Sequence, residues 1–150
     1  MKIADVHAHV FPEKLAVKAA GSIGQFYGTE MYCEASMERL VAEEEKAGVS
    51  RYVISSSAVV PKQVRSIVEF LAEARKGYPE CISFGSIYPG MDGYEEVLDE
   101  LQALGSRGLK IHPDFQKLPI DDPSGIETYR AIARRGLPVL MHMGDNRYDF

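Results

Sequence analysis

The sequence predicts a parallel α/β fold, and two observations carry that expectation. Short β-branched or apolar runs alternate with stretches of helical periodicity four times, and a fifth run follows. The third run, Cys81 to Ile87, is apolar or small almost throughout, as expected of a strand covered on both faces. Such alternation calls for right-handed crossovers between parallel strands. An open doubly wound sheet and a (β/α)₈ barrel both begin this way. No G-x-G-x-x-G or G-x-x-x-x-G-K-[ST] loop follows any of the runs, which counts against a nucleotide-binding open sheet.

The first run, Ile3 to Pro12, reads I-A-D-V-H-A-H-V-F-P. Its alternation is that of a strand, which puts His7 and His9 on one face, about 7 Å apart along the chain. Glu13 to Ala20 fits a short helix, after which Gly21, Gly24 and Gly28 are expected to loosen the chain as far as Ala35. Phe26, Tyr27, Met31 and Tyr32 in that excursion fit either a lid or pocket wall or a packed surface loop. Ser36 is placed to cap a helix carrying Met37, Leu40, Val41 and Ala47, ended by Gly48.

Arg51 to Ser57 is the second strand. Pro61 suits the first turn of the next helix, whose stripe is Val64, Ile67, Val68, Leu71 and Ala74. Gly77 and Pro79 stop it before the third strand. Tyr94, Val97, Leu98, Leu101 and Leu104 form another stripe, closed by Gly105. Gly108 to His112 is the fourth strand, broken by Pro113. Asp122 caps a helix from Pro123 that carries Ile126, Tyr129 and Ala133 and ends before Gly136. Leu137 to His142 is the fifth strand, and Gly144 turns the chain away.

The 150 residues are enough for one domain with a real core. A net charge of -5 offers no basic field for nucleic acid or an anionic membrane surface. No apolar stretch reaches the roughly 20 residues of a membrane span. Cys33 and Cys81 lie in different segments without C-x-x-C spacing, so the expectation is free thiols in a reducing, cytoplasmic compartment.

The four histidines, His7, His9, His112 and His142, all fall at or near the C-terminal ends of expected strands. That edge is where parallel α/β sheets and barrels build their sites. Across a closed barrel, His7, His9 and His142 can converge on one ion, and three protein ligands with an open position make a catalytic zinc arrangement. Hydrogen-bonded structural histidines are the plainer reading of the H-x-H pair alone. Lys110, two residues before His112, faces the same side and is either a charge partner for an anionic substrate or a strand-end lysine in an ion pair. His112 is read as a substrate contact rather than a ligand.

D-V-H-A-H-V-F-P at strand one, G-L-K-I-H-P-D-F-Q at strand four and P-V-L-M-H-M-G-D at strand five resemble the amidohydrolase superfamily of metal-dependent (β/α)₈ barrels. The resemblance is to the amidohydrolase-2 group, with its aminocarboxymuconate-semialdehyde decarboxylase-like enzymes. It implies His7, His9 and His142 as ligands of one divalent metal, Zn2+ first and Mn2+ or Fe2+ as alternatives. Lys110 and His112 then line the pocket. A carboxylic acid substrate clamped near Lys110 or Arg147 would favour decarboxylation over hydrolysis.

The family's further histidine at strand six and its general-base aspartate at strand eight have no counterpart before Phe150. Asp145 sits in a turn-like G-D-N-R and does not replace that aspartate. Residues 1–150 are thus expected to be the N-terminal part of a single barrel domain, with about four β-α units and strand five. Alone, such a piece is expected to form homo-oligomers or aggregate and to show little activity, since it leaves strand edges open. The implied reaction is hydrolysis of an amide, ester or lactone by a metal-activated water. Non-oxidative decarboxylation on the same metal and an inactive metal-binding fragment are the alternatives.

Overall fold

The computed structural model describes residues 2–143. Its five strands are β1 (Ile3–His9), β2 (Val49–Ser55), β3 (Cys81–Ser86), β4 (Gly108–Ile111) and β5 (Val139–Met141). They form one sheet in the order β1-β2-β3-β4-β5, every neighbouring pair parallel. The order never reverses, so there is no switch point of the doubly wound kind. Each crossover instead adds the next strand on the same side, which curls a twisted sheet into part of a (β/α) barrel. Among the described residues β1 pairs only with β2 and β5 only with β4, leaving an open edge at each end.

The helices follow the expected capping chemistry. α1 is Glu13–Tyr27 and α2 is Met37–Ala47. Ser36 Oγ accepts the Arg39 N–H at 3.2 Å to cap α2, and Gly48 ends it at φ 73°. A 3₁₀ turn at Pro61–Gln63 leads into α3 (Val64–Gly77). α4 (Tyr94–Ala103), a single turn α5 (Pro113–Gln116) and α6 (Pro123–Arg134) complete the set. Asp122 Oδ1 accepts the Ser124 N–H at 2.9 Å, the cap expected of it.

Two local expectations are corrected. The chain after Ala20 does not loosen: α1 continues through Gly21 and Gly24 to Tyr27 and stops only at Gly28, whose φ of 68° ends it. Gly24 is buried where the returning chain crosses the helix, and a Cβ there would lie 2.6 Å from the Thr29 carbonyl oxygen. Close backbone approach, rather than helix breaking, accounts for this glycine. The second correction is in β1, where Asp5 pairs with Tyr52 but Ala8 pairs with Ile54, so β1 spends one residue more than β2 over that stretch. This is a β-bulge. Asp5 Oδ1 accepts the His7 N–H at 2.7 Å, standing in for a ladder bond, while the Asp5 carboxyl also lies beside Glu44 of α2.

Two apolar clusters hold the layers together. Val64, Val68, Ile87, Leu98, Leu101, Leu109, Ile111 and Ile132 belong to one, and Val10, Tyr52, Ile54, Leu71 and Cys81 to the other. Ala8 and Val10 are buried, whereas His7 and His9, which alternate with them, are exposed and half-buried and face away from that packing. No described helix is long and apolar enough to cross a membrane.

Candidate metal and substrate site

At the end of β1 the two imidazoles converge, with His7 Nε2 and His9 Nε2 3.1 Å apart. Lys110, from the middle of β4, places Nζ 3.1 Å from His7 Nε2. All four β4 residues are buried, and Lys110 is among the largest fully buried side chains of the protein. Burial pushes its ammonium down to about 8. Burial first, and the Lys110 charge second, push His9 down to about 4 and lower His7 in the same direction. Both rings are therefore neutral near pH 7, the form that offers a lone pair to a cation.

The end of β4 is built more tightly. Ile111 is followed by His112, whose Nδ1 accepts the Phe115 N–H at 3.4 Å and caps α5. The His112 N–H donates to Gln116 Oε1 at 3.2 Å. Gln116 Nε2 in turn donates to the carbonyls of Ala58 (3.0 Å) and Ile87 (2.8 Å). This one buried amide ties the segments after β2, β3 and β4 together. The His112 ring is sandwiched between Phe115, at a centroid distance of 3.8 Å, and His142, at 4.0 Å. Burial pushes His112 down to about 3, with the charges of His142 and Lys110 acting in the same direction.

From β5, His142 donates its N–H to the Ile111 carbonyl at 3.0 Å and brings Nε2 to 3.5 Å from Asp114 Oδ2. Asp114 is buried, and its Oδ2 lies 3.9 Å from His112 Nδ1. Among the described residues, His112, Asp114 and His142 form the group whose donor atoms all lie within 4.8 Å of one another, a spacing able to hold a metal ion. The donor types, imidazole nitrogen and a buried Asp114 oxygen, are those that suit a divalent metal of the zinc–manganese kind. From the other end, α1 delivers Tyr27, whose Oη is 3.1 Å from His112 Nε2 and 3.3 Å from His142 Nε2.

The residues singled out in the sequence thus fall into two adjoining groups. His7, His9 and Lys110 make one; His112 and His142 make the other, and the His142 charge reaches both His7 and His9. Arg147 and Asp145 lie outside the described residues. Asp114 and Gln116 escaped the sequence reading, although both stand in the quoted H-P-D-F-Q stretch. Tyr27 belongs to the segment expected as a lid, pocket wall or surface loop, and its hydroxyl meets the two imidazoles. A cavity of about 370 Å³ between α1 and residues 29–34 is lined by none of these histidines.

Comparison with known proteins accords with this geometry. No curated protein matches the chain. A probable 2-pyrone-4,6-dicarboxylic acid hydrolase of Acinetobacter baumannii, crystallised with citric acid, is 18% identical and superposes with a TM-score of 0.63 over 95% of this chain and 50% of that one. The 5-carboxyvanillate decarboxylase of Novosphingobium aromaticivorans, crystallised with manganese, is 16% identical, with a TM-score of 0.73 over 94% of this chain and 50% of that one. A 2,6-dihydroxybenzoate decarboxylase in complex with 2,6-dihydroxybenzoate is 17% identical, with a TM-score of 0.64 over 96% and 50%. At these identities the likeness establishes the fold, and the chain spans about half the length of the structures it matches. The sequence model of the amidohydrolase family matches residues 4–150. With strand-end histidines at β1, β4 and β5 of a curled parallel sheet, the chain belongs to the amidohydrolase-2 family.

Proposed function

We propose that this chain carries the metal-binding part of a metal-dependent hydrolase acting on a small carboxylic acid. The observation that supports the reading is the placement of imidazoles from β1, β4 and β5 along one edge of the sheet, with a fully buried lysine beside the β1 pair. His7, His9 and His142 are the proposed ligands, and the His112–Asp114–His142 spacing supports a cation at the same edge. Zn2+ is the first choice there, with Mn2+ or Fe2+ as alternatives, and such an ion supplies Lewis acidity and a coordinated water of lowered pKa.

The chain's own residues then bind and orient. Lys110, at about 8, is mostly protonated at pH 7 and presents a desolvated positive charge to a substrate carboxylate. His112, rigidly stacked and hydrogen-bonded, lines the pocket beside it. Arg147 is proposed as the second cation of that clamp. The general base is not assigned to any of these residues. Decarboxylation of the same carboxylate is the second reading, favoured by the placement of a buried ammonium and by the solved decarboxylases of like fold.

Elemental analysis of the purified, zinc-reconstituted chain beside a His7→Ala/His9→Ala double variant tests the metal. About one zinc per chain, lost in the variant, is expected; no zinc in the parent overturns the reading. Where turnover is found, incorporation of solvent oxygen marks hydrolysis, whereas release of carbon dioxide without it marks decarboxylation.

A further inference from the structure

We infer that Lys110 holds the metal's place at His7, and that an arriving ion releases its ammonium to the substrate carboxylate, so that metal binds before substrate. The inference rests on the reading that His7 and His9 hold a metal and that Lys110 receives a carboxylate, and adds to it an order of binding.

The contact turns on one nitrogen. Lys110 Nζ lies 3.1 Å from His7 Nε2, which is itself 3.1 Å from His9 Nε2. β2 and β3 stand between β1 and β4 in the sheet, so Lys110 and His7 meet across its inner face rather than along a ladder. An ammonium has three N–H donors and no acceptor, so His7 Nε2 is the acceptor in this pair. A neutral imidazole that accepts at Nε2 keeps its proton on Nδ1. Lys110 thereby fixes the His7 tautomer whose Nε2 is bare, the form a metal requires. That nitrogen has a single lone pair. It serves the ammonium or an ion, and two positive charges cannot share it.

The lysine is free to move only beyond its backbone. Lys110 pairs with Ser86 and Leu140 in the ladder, and Ser86 Oγ donates to its carbonyl at 3.5 Å. Its side chain is fully buried, and among the described residues no carboxylate pairs with it. Once displaced from His7, a buried ammonium without a counter-ion is costly, and a substrate carboxylate removes that cost. Held at His7, the same ammonium is turned towards the β1 pair instead. One lone pair thus couples the two events, the metal first and the carboxylate second.

Two titrations of the purified, chelator-stripped chain test this, one with Zn2+ and one with 4-fluorobenzoate as a carboxylate probe read by fluorine NMR. Lys110→Met is expected to bind zinc about tenfold more tightly than the parent, because a charge-assisted hydrogen bond no longer competes for His7. Without zinc, His7→Ala is expected to bind 4-fluorobenzoate about fivefold more tightly than the parent, and His7→Ala/Lys110→Met to lose that gain. Unchanged circular dichroism shows that each variant is folded. Equal or weaker zinc binding by Lys110→Met overturns the inference and leaves the metal reading standing. A His7→Ala chain that binds the probe no better than the parent overturns it as well, since the ammonium was then not held at His7. A gain that survives in the double variant does the same, by placing the probe in the space His7 leaves. No zinc uptake by the parent or by Lys110→Met overturns the inference and the metal reading together.

Discussion

The ends of β1 and β4 face the same edge of the sheet, yet they are built in opposite ways. Among the described residues β1 is an edge strand, its seven residues mostly exposed or half-buried, and its histidine pair is steadied by the His7 N–H donating to Asp5. β4 lies between β3 and β5 with every residue buried, and His112 behind it is fixed by Gln116, Phe115 and His142. The difference teaches where pre-organisation comes from. A strand flanked on both sides holds its polar groups through buried hydrogen bonds, whereas an edge strand relies on whatever binds to it. If His7 and His9 bind the proposed metal, the ion is expected to order the β1 pair more than it orders His112.

The sharpest way to break this comparison is to remove the amide that locks β4. Gln116→Ala leaves the Ala58 and Ile87 carbonyls and the His112 N–H without that partner in a buried setting. A loss of about 3 kcal/mol is expected in urea unfolding, since each orphaned group costs ~1–3 kcal/mol. A cost below about 1 kcal/mol would show that β4 is not held this way.

Lys110→Met comes next and has the opposite sign. The ammonium is fully buried, and no carboxylate pairs with it among the described residues, so an apolar side chain of similar length is expected to raise stability by about 1–2 kcal/mol while weakening carboxylate binding. The pH dependence follows from the lowered value. The folded chain gives up the Lys110 proton at about 8 and the unfolded chain at 10.5. Between those values the unfolded state binds more protons, so stability rises with pH there, and below about 8 the full penalty is present. That alkaline rise should disappear in Lys110→Met. A parent whose stability is flat from pH 8 to 10.5 would contradict the burial argument.

The smallest effect belongs to β1. His7→Ala removes an exposed ring and should change unfolding free energy by no more than about 0.5 kcal/mol, while abolishing zinc uptake at the β1 pair. A cost comparable with Gln116→Ala would erase the contrast between the two strand ends.

Much of this was legible in the sequence for a physical reason. Strand and helix periodicity, Ser36, Gly48 and Asp122 are signals that act within a few residues, and the structure reproduces them. The histidines were legible because strand ends in parallel α/β folds share one edge. The length of α1 was not, because Gly24 answers to the Thr29 carbonyl brought back against it and not to its helical neighbours. Asp114 and Tyr27 were missed as site residues for a related reason. Asp114 reaches His142 from a one-turn helix that Pro113 had disguised as a strand break, and Tyr27 reaches two rings more than 80 residues away.

The bulge in β1 has a consequence for how this strand tolerates change in length. Strand faces are a matter of odd and even, and a one-residue deletion normally exchanges them for everything beyond the cut. Between Asp5 and Ala8 the chain already runs one residue over the count of its partner, and Val6 in that stretch is 65% exposed. Removing Val6 would bring β1 into step with β2 from Ala4 onward while leaving His7 and His9 on the face opposite Ala8 and Val10. The surplus residue makes this the one place in the strand where a shorter chain still spells the same face.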